Sequence, residues 1–180
     1  YGEYEQLVGG VETLFGAQGM SIEQYAQSVG KTVSEVQGKY ASLIKAQDNV
    51  MENAHQAYIK QGMSANEYMK TVTTFSASLL QGLQGDTVEA SKVADMAVTD
   101  MADNANKMGT SMESIQNAYQ GFSKQNYTML DNLKLGYGGT KSEMERLLAD
   151  AEKLTGVKYD INNLADVYNA IHAIQNNLGI

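Results

Sequence analysis

The chain has 180 residues and a formal net charge of −8, from 21 acidic and 13 basic side chains. It contains no Cys, which excludes a disulfide framework and a thiolate metal site, and its acidic balance disfavours a basic surface for phosphate backbones. It also contains no Pro, where about nine would be ordinary for this length; because Pro removes a helix donor and clashes with the preceding turn, its absence favours long, uninterrupted helices.

Taken in chain order, the pattern is helical throughout. Short helices are predicted over 4–30: Tyr4 to Phe15, weakened by Gly9 and Gly10, then a segment capped by Ser21 with Gln24 reaching back, ended by Gly30. A long helix is predicted over 32–61. Val33, Val36, Tyr40, Leu43, Gln47, Val50, Ala54 and Ala57 alternate at three and four residues, a heptad seam with one polar member, and Gly62 marks its end. The next helix, over 64–82, has Ser64 as its cap with Glu67 in capping-box position, and Tyr68, Val72, Phe75, Leu79 and Leu83 as its apolar stripe.

A helix over 87–108 carries Ala90, Ala94, Ala97, Met101, Ala105 and Met108, small side chains that let a partner helix approach closely. Ser111 and Ser114 open a helix over 111–133 with Met112, Ile115, Tyr119, Phe122 and Met129 on one face. After the turn Gly136-Tyr137-Gly138-Gly139 come a helix over 140–155, with Met144, Leu147, Leu148, Ala151 and Leu154, and a last one over 161–178, with Leu164, Val167, Tyr168, Ile171, Ile174 and Leu178. Gly19-Met20-Ser21 with Gln24-Tyr25 is echoed by Gly62-Met63-Ser64 with Glu67-Tyr68, and shared capping chemistry accounts for it. The predicted fold class is all-α, several amphipathic helices on Gly-containing turns, as a bundle or an elongated array. No apolar run approaches the roughly 18 residues needed to span a bilayer.

Residues that suggest chemistry have structural readings beside them. A Gly-rich turn before a helix N-terminus can bind phosphate, but a dinucleotide fold needs a preceding strand. Gly139-Thr140-Lys141-Ser142 scrambles the order of a phosphate-binding loop, so this turn reads as a helix–helix corner. His55 and His172 are the only histidines and lack partners at metal spacing; both read as surface or boundary residues. Glu143, Glu145, Asp150 and Glu152 raise paired carboxylates for glycoside hydrolysis, yet acids early in a helix complement its dipole, and Glu145 lies near Arg146 and Lys153 on a solvated face. Asp95, Asp100 and Asp103 lack the glycine and terminal glutamate of a calcium loop. The expectation is no catalytic, cofactor-binding or metal-ligating residue, and no enzyme. The 11 Tyr and 10 Met are expected mostly in the core, with a minority touching copies of the chain or other partners.

The stretch Asn126 to Gly156, NYTMLDNLKLGYGGTKSEMERLLADAEKLTG, is unusual word by word. It resembles a segment of the tail tape measure proteins of long-tailed phages and prophages, mostly of Gram-positive hosts. The resemblance extends through Tyr4 to Phe15, Ser64 to Met69, Gly85-Asp86, Asp103 to Thr110 and Asp166 to His172, and is weakest from Gly16 to Tyr40, which reads as an insertion. It implies a structural virion protein with no catalytic site, mostly helical, in the lumen of the tail tube, present in the host cytoplasm during assembly. It further implies that tube subunits and other tail assembly proteins gather round it, so that its length sets tail length, and that it assists genome delivery. The chain opens at Tyr1 without Met, so residues 1–180 are expected to be one helical segment excised from a longer protein. The residues alone also fit a non-viral helical adaptor, or a secreted coiled-coil interaction protein, binding through the heptad seam.

Overall fold

A computed structural model describes residues 2–180. Among them there is no strand. Eight α-helices follow one another: α1 (Glu3–Leu14), α2 (Ile22–Ser28), α3 (Val33–Gln61), α4 (Ala65–Gly82), α5 (Thr87–Met108), α6 (Met112–Ser123), α7 (Lys141–Thr155) and α8 (Leu164–Asn177), with one 3₁₀ turn at Leu130–Leu133. The all-α expectation holds. No helix of the described residues is long and apolar enough to cross a membrane.

Local chemistry sets the helix ends. Thr32 and Glu35 form a reciprocal capping box at α3: the Glu35 N–H donates to Thr32 Oγ1 at 3.2 Å and the Thr32 N–H to Glu35 Oε1 at 3.0 Å. Ser21 and Gln24 do the same at α2. Ser64 caps α4, but the expected box stays open. Glu67 turns its carboxylate away to accept from Gln116 Nε2 at 3.3 Å, which ties α4 to α6. Asp86, Ser111, Thr140 and Asn163 cap α5 to α8 through side-chain oxygens. Left-handed Gly62, Gly109 and Gly156 end α3, α5 and α7.

The longest helix, α3, runs about 43 Å at 1.5 Å per residue. Its buried residues Val36, Leu43, Ala46, Val50, Ala54 and Ala57 face α5, its most extensive contact, and α1, α2 and α4. The heptad seam is therefore satisfied inside the molecule. The buried line runs through Ala46, while Gln47 is only half-buried. On α5, Ala90, Ala94 and Ala97 are fully buried, as close approach requires. The centre is α4, which packs on α1, α3, α5, α6 and α8. An elongated array would let it touch only its chain neighbours, so the molecule is a bundle. One continuous core runs from Val11 and Phe15 through Tyr68, Phe75, Met101, Tyr119 and Leu147 to Ile174.

Three further expectations need correction. The helix over 111–133 breaks at Ser123. The Asn126 N–H bonds back to the Gly121 carbonyl at 2.9 Å around a left-handed Gln125, a Schellman stop made without glycine. The last helix begins at Leu164 instead of 161, because Asp160 and Asn163 close a turn before it. Leu154 and Leu178, placed on apolar stripes, are 47% and 53% exposed: each lies in or beyond the last turn of its helix, and both line an open groove between α7 and α8. Ala105, Met108, Met112 and Met129 are half-buried, and Met112 and Met129 pack against the core from its edge, as their place on an apolar face predicts.

Candidate functional site

The Gly136–Gly139 turn and the start of α7 build one interlocked corner. Arg146 reaches back from α7: its Nε donates to Glu143 Oε2 at 2.7 Å, and its Nη2 donates to the Gly136 carbonyl at 2.8 Å and to Glu143 Oε1 at 3.0 Å. Its guanidinium lies 4.3 Å from the centre of the Tyr137 ring. The Tyr137 hydroxyl donates to Asp150 Oδ2 at 2.6 Å. Burial first, then the Asp150 carboxylate, pushes that phenol up to about 12. The Arg146 guanidinium, then the Gly138 N–H, holds Glu143 down to about 2.

This arrangement answers the phosphate question. The Gly138 N–H already donates to Glu143 Oε1 at 2.9 Å, so an anion of the chain itself occupies the position a phosphate would take. The turn is a helix–helix corner. The four acids of α7 are also divided between two faces. Glu143 and Asp150 flank Arg146, while Glu145 and Glu152 line an open groove of about 700 Å³ with Lys141 and Lys158.

The histidines differ from one another. His55 shares a 3.1 Å hydrogen bond with the Tyr4 hydroxyl at the surface. His172, on α8, places Nδ1 3.0 Å from both carboxylate oxygens of Asp100 on α5. Asp100 is only 5% exposed. Burial pushes its carboxyl up to about 6, against the pull of His172 and with the help of Asp103. Beside the pair, Gln175 Nε2 donates to the Asp100 backbone carbonyl at 3.1 Å. Asn104 Nδ2 donates at 2.9 Å to Gln175 Oε1 and at 2.9 Å to the Leu133 carbonyl, and Thr110 Oγ1 donates to Asn104 Oδ1 at 2.7 Å. The Tyr168 hydroxyl donates to the Tyr119 carbonyl at 3.0 Å. A second polar cross-link joins α4 and the end of α3 to α5: Tyr68 Oη donates to Asp95 Oδ1 at 2.6 Å, and Gln61 Nε2 to Asp95 and Thr99 at 3.2 and 3.0 Å.

These networks are what sequence reasoning missed. The two halves of the Asp100–His172 pair lie far apart in sequence, so no local spacing announces them. The one available signal was a charged residue one position from Met101 on an alanine-lined helix. Asp95, Asp100 and Asp103 are not gathered on one site: Asp95 serves Tyr68, and Asp100 serves His172. Among the described residues no group of three His, Asp or Glu side chains is placed to hold a metal ion. The chemistry on offer is cross-linking of helices by buried polar side chains. No family model, no curated protein and no solved structure matches this chain.

Proposed function

We propose that this chain is a folded helical module of a phage tail tape measure protein, a structural component of the virion in the lumen of the tail tube. In that role the parent protein scaffolds tube assembly, sets tail length and assists genome delivery. Its partners are tube subunits, other tail assembly proteins and copies of itself. The observation that carries the reading is the stretch Asn126 to Gly156, and its residues have geometric work to do. Gly139 abuts the Thr128 backbone, Tyr137 reaches Asp150, and Arg146 ties Gly136 to Glu143. A segment whose most distinctive words build a corner suits a structural protein. The net charge of −8 would also keep such a filler from adhering to the DNA that shares the tube.

The test is genetic. In a phage carrying the parent gene, the segment is deleted in frame and tails are measured by electron microscopy. Loss of assembled tails, or shortening by up to roughly 270 Å at 1.5 Å per residue, supports the reading. Full-length, infectious tails overturn it. Duplicating Thr32 to Ile59, four heptads, separates two forms of the role. Tails longer by roughly 42 Å mean that the segment is laid out as ruler, and unchanged length means that it stays folded.

A further inference from the structure

We propose that the Asp100–His172 pair is a proton-operated clasp between α5 and α8, tightened by acid and loosened by base. The geometry is that of a switch. A carboxylate buried on one helix meets a single basic side chain from another, and that side chain reaches the edge of an open groove lined by Tyr159, Asp166, Asn169 and Asn176. Asn176 Nδ2 lies 3.2 Å from His172 Nε2 at the edge of that groove. A proton added to the pair gives either an imidazolium facing a carboxylate or an imidazole facing a carboxylic acid. Both remove the cost of an uncompensated buried charge.

The surroundings leave the pair in control. On α5, Asp103 adds negative charge and favours proton uptake by Asp100. From α6 the Tyr119 phenol is fully buried and its hydroxyl has no hydrogen-bond partner among the described residues, and the Asp100 charge raises its proton affinity further. Tyr168, beside it on α8, is raised by burial. Both phenols stay neutral in the range concerned. On α4, Glu67 accepts from Gln116 and Lys70 pairs with Glu3 at 3.2 Å. On α7, Asp150 is taken by Tyr137 and Arg146. Tyr159 bonds to Thr155, and Asp166 accepts the Asp160 N–H.

The sign follows from linkage. Asp100 moves from an ordinary 3.8 up to about 6 on folding, so its contribution to stability is fully present below about 4 and is lost as pH rises through about 6. Between pH 7 and pH 5 the folded state should gain about tenfold over the unfolded state. Glu143 runs the other way in a lower window. Held down at about 2 from 4.5, it contributes above pH 4.5 and loses that contribution as pH falls toward 2.

Urea unfolding of the whole chain at pH 5 and pH 7, at constant ionic strength, tests the clasp. About tenfold greater folding equilibrium at pH 5, abolished in Asp100→Asn, supports it. Stability equal or lower at pH 5, or the same gain in Asp100→Asn, overturns it. His172→Gln removes the basic partner that lowers the Asp100 proton affinity and leaves the carboxylate, so the tightening should shift to higher pH; its disappearance overturns the proposal. Should Asp100→Asn not fold, carbonyl-carbon NMR of the unmodified chain decides. An Asp100 midpoint well above the ordinary carboxylate range supports the clasp, and one within that range overturns it.

Discussion

Replacing Gly139 by Ala should open the corner before α7. An alanine Cβ there would lie 2.9 Å from the Thr128 carbonyl carbon and 3.3 Å from its Cα, and closer still to the carbonyl oxygen. These are backbone atoms, so no rotamer change makes room. The Thr128 segment is itself pinned, because its N–H and Oγ1 both donate to Asn126 Oδ1, at 3.0 and 2.8 Å. The corner and the 126–130 segment must part, at the cost of overpacking, about 2 kcal/mol. For a chain of this size that is a fall in Tm of about 4–8 °C. Two companion variants give the measurement its contrast. Gly136→Ala meets no atom within 4 Å but holds φ at +97°, so its cost of about 1 kcal/mol is conformational. Gly9→Ala, inside α1 and open to space, should stabilise by about 0.5–1 kcal/mol. Urea unfolding of the three variants would rank them. If Gly139→Ala were as stable as the parent chain, the close approach would not exist and the reading of the corner as an interlock would fail.

Gln84→Gly and Gln125→Gly should each stabilise by about 0.5–1 kcal/mol, because glutamine sits left-handed at φ 56° and 59° where the chain leaves α4 and α6; thermal unfolding with no gain would mean that the side chains hold those turns. Phe75→Ala should cost about 3–5 kcal/mol, since its ring is fully buried and meets Tyr168 edge-on at 5.2 Å, whereas Tyr168→Phe, losing only the bond to the Tyr119 carbonyl, should cost about 1 kcal/mol; equal losses in urea unfolding would refute the division between packing and hydrogen bonding.

What was legible in the sequence was local. Ser21 with Gln24, Ser64 and Ser111 cap helices by bonds to residues three positions on, so spacing is enough to find them. Gly62 announced a left-handed stop for the same reason. The end of α6 was not announced, because the stop falls on Gln125. What forces it is the turn after it, where Asn126 folds its side chain onto Thr128. The apolar stripes placed α4 and α8 correctly but overran at Leu154 and Leu178, since periodicity does not say which apolar positions a neighbouring helix covers. The partners of Asp95, Asp100 and Asn104 lie on other helices, and a buried polar cross-link between distant segments leaves no periodic trace. The corner was found as a turn and its residues as unusual, but not the fork of Arg146 that closes it.

The proposed role asks one further thing of this fold. Buried Tyr68, Met69, Val72, Phe75 and Leu79 line α4, and its neighbours on several sides cover them. Laying the helices end to end would uncover that stripe. At about 1.5–3 kcal/mol for each large apolar side chain, exposing these five would cost on the order of 10 kcal/mol, comparable with the whole stability of an ordinary domain, about 5–15 kcal/mol. The α3 seam would lose its cover on α5 as well. A fully extended form is thus accessible only where another surface replaces the lost contacts, such as an apolar tube wall or parallel copies of the same helices. Without such a surface the bundle persists. The duplication of Thr32 to Ile59 therefore reports on the lining of the lumen as much as on the segment: added length would require a wall or a neighbouring copy that accepts the α3 and α4 stripes.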